Sequence, residues 1–459
     1  MDKLEQGVHP EQTDSDHYES HVNLSSAVLY ADQGVSPGDG GVALKQGITW
    51  KTVGLLQVCD VLGVGMLTIG SAYAQLGWLI SILAFAIGFV MCVYLGVLQW
   101  KCQRIYPKGT SQRNLAYEVY GSKIFANFIG FMLYGLLFFV CGAYLMGMAS
   151  SLANLFVGVA DLCDWEWRLI ACAVISPLIC FIRNLTGLKH LVKLSTTLII
   201  GLVAVVSIYV FVQLGQGKHE EGFGTDEFVK TGLTVKEFIT GLSSIFLSIG
   251  GLIIFLEMSA EMSNREEFPK SFFVSVPIEV LLMMLVGCSS YVFQGGNASD
   301  LMSVIPADSG IGRFANFLSF TYMTVVFLIK GIIIVRGLHE EIFPSSFDAI
   351  GFKGKIHHFG IAATTMVLMF LCVNVIPSIG SFVSLIAAVF VPFLTYMLPV
   401  VYAFKTRRNI GQSTPFWEWL VWAFVIVVFS IITVSGTYFW FESMYTYFAN
   451  NPPPFTCHA

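Results

Sequence analysis

Four ionisable residues stand in stretches that are otherwise almost wholly apolar. Asp60 lies in LLQVCDVLGVGMLTIG, Lys330 in FLIKGIIIVRG, and Glu257 and Glu261 in GGLIIFLEMSAEM. At the centre of an apolar helix in a bilayer each such charge costs about 3 kcal/mol unless it is partnered. Residues kept at that cost carry protons, hold ions or pair with one another. Two glycine pairs lie close by: Gly63 and Gly65 just after Asp60, and Gly250 and Gly251 just before Glu257. Glycines that interrupt an apolar helix free backbone N–H and C=O groups, which hydrocarbon cannot satisfy but a bound amino group, carboxylate or cation can. The plainer alternative is that they only let helices pack closely. Two pairs in corresponding positions favour a binding site.

The elements that must position these residues are membrane helices. The chain has 459 residues, 55% hydrophobic and 12% charged, with a mean hydropathy of +0.71. Soluble domains do not have this composition. Eleven apolar runs are long enough to span a bilayer, at residues 51–75, 77–99, 124–157, 168–182, 194–214, 238–262, 271–293, 314–337, 357–376, 378–404 and 416–440. Residues 1–46 hold eight acidic residues against Lys3 and Lys45 and have no apolar period, so they are expected to form a disordered cytoplasmic tail. Residues 47–445 are expected to form one membrane-embedded domain, and residues 446–459 a short tail on the other side. No cleaved signal peptide is evident, so the first span serves as the targeting signal.

Placing the N-terminus inside puts 19 basic residues on the cytoplasmic side and five on the other, with Lys330 set aside. Retention of Lys and Arg on the cytoplasmic side makes this the expected orientation. Asn297-Ala298-Ser299 then falls outside as a candidate glycosylation acceptor, whereas Asn23 and Asn184 fall inside. Cys163 and Cys457 map outside, where spacing alone gives little reason to pair them; the other cysteines are scattered as small apolar residues.

The first and sixth spans carry the glycine breaks, and they enter from opposite sides. Inverted repeats with discontinuous first helices have this pattern. The same stretches resemble the amino acid/auxin permease family. GVGMLTIGSAYAQLGW (residues 63–78) is similar to its first-helix motif, PLICFIRNLTGLKHLVKLS (177–195) to its fourth-to-fifth helix signature, GGLIIFLEMSAEMSNREEFPKSF (250–272) to its sixth-helix signature, and IPSIGSFVSLIAAVFVPFLTYMLPVVY (376–402) to its late helices. The resemblance covers nearly all of the chain after the tail. It implies an all-α, leucine-transporter-like fold with a 5+5 inverted repeat, moving amino acids or related small molecules with protons or sodium. This chain departs from the family at Gly70-Ser71, where Pro-Tyr is usual, and at Ala387-Ala388, where Gly-Ala is usual. Substrate identity is therefore not carried over.

In the resembled fold the first and eighth helices together bind a coupling sodium ion. Asp60 on one and Lys330 on the other would place an ion pair there, with the ammonium group in the position of sodium. A static pair, or a lysine reaching for the headgroups, is the competing reading. Lys330 lies about 10 Å along the axis from the end of its span, which makes that reach awkward. Glu257 and Glu261 read either as proton carriers or as carboxylates facing the cytoplasm. The expected substrate site comprises Gly63, Gly65, Thr68, Tyr144, Gly250 and Gly251, and the expected ion-coupling residues are Asp60, Lys330 and Glu257. His357-His358 is expected to be solvated at the membrane boundary.

No HExxH or GxxxxGK[ST] pattern occurs, and the single GxSxG match, GVSPG at residues 34–38, falls in the acidic tail and not between a strand and a helix, so neither an enzyme nor an ATP-driven pump is indicated, and no cofactor or metal is implied. The leading expectation is a proton-coupled secondary transporter of amino acids working as a monomeric unit in the plasma, vacuolar or lysosomal membrane. Its expected partners are the amino acid, H+ or Na+, and the lipid bilayer, with no nucleic acid. A nutrient sensor on a transporter fold, a sodium-coupled transporter and a channel remain open.

Overall fold

Within hydrocarbon every backbone group must be paired by protein, which leaves helices or closed barrels, and apolar runs of about 20 residues have the length of a spanning helix rather than a strand. The computed structural model is accordingly helical. It describes residues 49–160, 162–182, 188–217, 224–260, 262–299, 301–347, 351–376, 378–450 and Phe455. The expected tail, Asn23, Asn184, Glu261 and Cys457 lie outside the described residues. Among the described residues, nine helical segments are long and apolar enough to cross a membrane.

The first apolar run is broken into α1 (Trp50–Val61), α2 (Val64–Leu67) and the start of α3 (Ile69–Ile105). α3 contains a second interruption at Gly77, whose φ of +74° favours a residue without a Cβ. This frees the Trp78 and Leu79 amides, which donate to Glu227 O at 3.1 Å and Phe228 O at 2.9 Å in the loop beyond. α4 (Gln112–Tyr120) was not expected; Ser111 caps it by accepting from Asn114 N at 3.1 Å. There follow α5 (Lys123–Leu155), α6 (Asp164–Phe181) and α7 (Leu188–Gly215).

The second broken run comprises α8 (Val235–Ser248), a 3-10 turn (Gly251–Ile254) and α9 (Phe255–Ala260). Thr234 starts it with a capping box to Glu237. α10 (Phe268–Gln294), α11 (Gly310–Ile342), the short α12 (Pro344–Phe347) and α13 (Phe352–Val375) come next. α14 (Ile379–Leu385) and α15 (Leu398–Asn409) are joined through two widened π-helical stretches, Ile386–Phe390 and Pro392–Met397, and α16 (Phe416–Asn450) ends the bundle.

The α14–α15 helix buries 78% of its most apolar window and α16 only 28%, which puts the former inside the bundle and the latter on the lipid face. The helices overrun the expected spans, α16 by ten residues past 440. Hydropathy marks what lies in lipid, whereas the hydrogen-bonded helix continues into polar sequence. At the end of the bundle where α1 begins, the ion pairs Arg104–Glu266 (2.8 Å) and Arg113–Glu341 tie helix ends together. At the opposite end, residues 224–234 close over α3, with Lys230 Nζ donating to Ala74 O at 2.6 Å. Asn297 is exposed there, in a single 3-10 turn.

Two expectations are corrected. Cys163, for which spacing gave little reason to expect a partner, is disulfide-bonded, while the eight other described cysteines are free. His358 is buried rather than solvated, with its ring facing Ile179 O at 3.4 Å. His357 stacks on Phe343 and contacts Ser346 Oγ at 2.7 Å. The turn containing α12 folds back over the His357 ring.

Candidate functional site

The two interruptions meet in the middle of the bundle. After Val61, Leu62 and Gly63 leave helical geometry, Gly63 with φ −80° and ψ −123°. After Ser248 the chain tightens through Ile249 and Gly250 into the 3-10 turn. Ser248 Oγ donates to Gly65 O at 3.2 Å, and a Cβ on Gly65 would come within 2.7 Å of Ser248 Cα. A Cβ on Gly251 would meet Val61 Cγ2 at 2.3 Å. Each break therefore packs its glycine onto the other, and only a missing side chain permits so close an approach.

Side chains from neighbouring helices take the freed carbonyls. At the first break, Tyr322 of α11 donates from its hydroxyl to Leu62 O at 3.2 Å. Tyr144 of α5 is fully buried beside it, its hydroxyl lying where a Cβ on Gly63 would be, 2.0 Å away. At the second break, the Tyr396 hydroxyl reaches Phe246 O at 2.8 Å and Cys92 Sγ faces Ile249 O at 3.4 Å. Gln112 Nε2 donates to Ile253 O at 3.2 Å and Gln103 Nε2 to Leu256 O at 2.9 Å. Tyr396 lies on a π-helical stretch, whose wider turns re-aim side chains towards the break.

The first break carries an ion pair. Lys330 Nζ donates to Asp60 Oδ1, one turn before Gly63. The lysine is buried, and one-fifth of the Asp60 side chain is exposed. The ammonium lies between α1 and α11, with Cys59 and Ile332 packed as apolar neighbours. Thr68 Oγ1 is buried without a hydrogen-bond partner between the first break and α3.

The structure thus gathers Gly63, Gly65, Tyr144, Gly250 and Gly251 around one junction and sets Asp60 and Lys330 in contact at its edge. Glu257 lies past the second break and away from the ion pair, beside Gln112 and Tyr402, and its Oε2 is buried without a partner. A cavity of about 320 Å³ opens at the Arg-rich end between Trp50, Lys51, Asn264 and Glu267. It is about 14 Å along α1 from Asp60, at the mouth of the junction rather than in it.

Sequence reasoning passed over Glu279 of α10, whose side chain is 1% exposed. Its signal was the one that marked Asp60 and Lys330: a single charge inside the apolar run FFVSVPIEVLLMML. It also passed over Gln57, which accepts from Ser275 Oγ at 2.7 Å. Tyr322 and Tyr396 gave no signal, because in sequence a tyrosine that caps a carbonyl looks like any other packed aromatic residue.

Two discontinuous helices, each packing a glycine against the other's break inside a bundle of apolar helices, with a charge pair at the first, define a secondary transporter of small polar solutes. The comparisons agree. Residues 46–440 match the family described as transmembrane amino acid transporter protein, and the chain belongs to that family. It is 22% identical over 414 residues to amino acid transporter AVT3C of Arabidopsis thaliana, across 82% of this chain and 87% of that protein. Among solved structures, MhsT in complex with L-phenylalanine superposes with a TM-score of 0.57 at 11% identity, across 87% of this chain and 99% of that one. At that identity the likeness establishes the fold alone, which is leucine-transporter-like.

Proposed function

We propose that the protein is a proton-coupled symporter of amino acids that works by alternating access, with the Lys330 ammonium group occupying the position of a coupling sodium ion. The observation that carries this reading is the contact of Lys330 with Asp60 one turn before the first break. A cation fixed to α11 leaves α1 neutralised without sodium, so the driving ion must be another, and the proton is the one that carboxyl groups in the bundle can carry. Gly63, Gly65, Thr68, Tyr144, Gly250 and Gly251 line the proposed substrate site, with Glu257 a proton carrier on the inward leg of the second break. The family match and the relative described as an amino acid transporter support the substrate class.

The division of α3 at Gly77 and the 18-residue α6 bring the nine long segments to eleven proposed spans. α1 to α3 and α8 to α9 open the two inverted halves. The N-terminus is assigned to the cytoplasm and Asn297 to the opposite side, in a plasma, vacuolar or lysosomal membrane. Proteoliposomes offered a panel of labelled amino acids under an imposed pH or sodium gradient test the proposal. Accumulation of at least one amino acid with the pH gradient and none with sodium is expected; accumulation driven by sodium at fixed pH contradicts it.

A further inference from the structure

Glu279 has a burial and a position that the ion pair alone does not explain. Neither carboxyl oxygen has a well-formed hydrogen bond, although the Ser275 side chain lies within reach. The nearest hydroxyl, Ser275 one turn earlier, donates to Gln57 Oε1 at 2.7 Å. α1 and α10 run in parallel register: the Cβ position of Gly54 lies 3.4 Å from Ser271 O, and Gln57 meets Ser275. One further turn along each helix brings Glu279 level with Asp60 and Val61, and the two carboxyl groups are within electrostatic reach. The groups around it can be named from every packed element. α1 brings Gln57 and Asp60, the latter paired to Lys330 of α11. α3 brings Cys92. α7 brings Ser195 and Thr196 beside Cys59, while its Lys193 is exposed. Arg265, Glu266 and Glu267 stand at the start of α10, about 18 Å away along its axis.

With Lys330 already committed to Asp60, a second carboxylate at this level would be an unpaired charge out of water, the costliest arrangement a helix bundle can hold. We propose that Glu279 is a proton-binding site, holding its proton while the junction of the two breaks is closed and exchanging it with water when the junction opens. The inference rests on the proton-coupled reading above and adds to Glu257 a second carrier, level with the first break. The step is a single O–H bond formed with a proton from water on one side and broken to water on the other. In the closed state the acid can donate to Ser275 Oγ, extending the chain through Ser275 to Gln57, whose Nε2 is itself buried without a partner.

The test uses the full chain in liposomes. In difference infrared spectra the wild type at neutral pH shows a protonated-carboxyl band that Glu279→Gln lacks; no such difference overturns the proposal. In transport, one proton per solute and a one-unit pH gradient sustain up to about tenfold accumulation. Glu279→Gln, which has the shape and neutrality of the acid, is expected to drop this to about onefold while keeping exchange of labelled for unlabelled amino acid at equal pH. Glu279→Asp is expected to restore accumulation with a displaced pH profile, which a packing role would not produce. Accumulation by Glu279→Gln equal to wild type overturns the proposal. If the wild type accumulates no amino acid under any gradient, the transport reading falls instead, and the infrared band alone decides whether Glu279 holds a proton.

Discussion

The two helix breaks solve one problem in different ways. Both unwind an apolar helix at glycine, and both offer carbonyls that lipid could not satisfy. At the second break the protein meets that need with neutral groups: Tyr396, Cys92, Gln112 and Gln103 each take a carbonyl. At the first, Tyr322 and Ser248 take one carbonyl each, and Lys330 and Asp60 add a charge pair. A neutral brace keeps its hydrogen bonds whatever ion is near. A charge pair responds to protons and cations, so the backbone of the first break is tied to a group that can sense coupling, whereas the carbonyls of the second are held by groups that cannot.

The largest expected effect breaks this contrast outright. Lys330→Met leaves Asp60 without its counter-charge and is expected to destabilise the protein by about 2–4 kcal/mol, somewhat below a fully buried pair because Asp60 is partly exposed. Asp60→Asn together with Lys330→Met should recover most of that loss in a double-mutant cycle of thermal unfolding in detergent. Additive losses in the cycle would mean that the pair contributes nothing as a pair.

The glycines sharpen it. Gly251→Ala drives a methyl into Val61 and is expected to cost about 1–3 kcal/mol, most of it recovered by adding Val61→Ala. Gly65→Ala meets the Ser248 Cα itself, so no side-chain change at 248 should recover it. Equal rescue at both sites would show that the breaks are not packed as described. The tyrosines give a smaller effect. Tyr322→Phe and Tyr396→Phe each remove one hydroxyl-to-carbonyl bond and should cost about 1 kcal/mol. Only Tyr322→Phe is expected to alter the pH dependence of uptake, and the same change in both variants would erase the distinction between the breaks.

The smallest effect lies outside the membrane. The Thr231 amide and hydroxyl both donate to Glu227 and hold its carboxyl below the usual carboxylate range. A depressed value contributes stability that is present above the unfolded-state value and is lost as pH falls through the folded one. Hydrogen exchange in residues 224–234 should stay slow as pH passes through about 4.3, the ordinary glutamate value, and rise only below it. In Glu227→Gln the loop should exchange faster than wild type above that range, and the difference should vanish in acid, where the wild-type carboxyl is protonated.

Much of this was legible in the residues. The glycine pairs stood out because apolar helices seldom tolerate two such interruptions, and Asp60 and Lys330 because a charge in hydrocarbon demands a partner. Their contact needed more than spacing, since residues 270 apart in sequence meet only through the fold that the resemblance supplied. Glu279 carried the same signal and was missed, although one rule covers all three residues. The π-helical stretches before and after Val391 could not be read, because a widened turn keeps the same apolar composition. Nor could Gln103 and Gln112, whose roles depend on which carbonyls the second break happens to expose. The Cys163 disulfide was obscured because proximity comes from folding, not from separation along the chain.

The claim that Lys330 stands in for sodium is tested most directly by the thermal stability of the purified protein in sodium chloride against choline chloride. A bound ion raises stability in proportion to the logarithm of its concentration over its dissociation constant. The wild type should unfold at the same temperature in both salts, and Lys330→Ala, with Asp60 left facing the vacated space, should gain stability with sodium alone. Sodium-specific stabilisation of the wild type, or none in Lys330→Ala, would contradict the account.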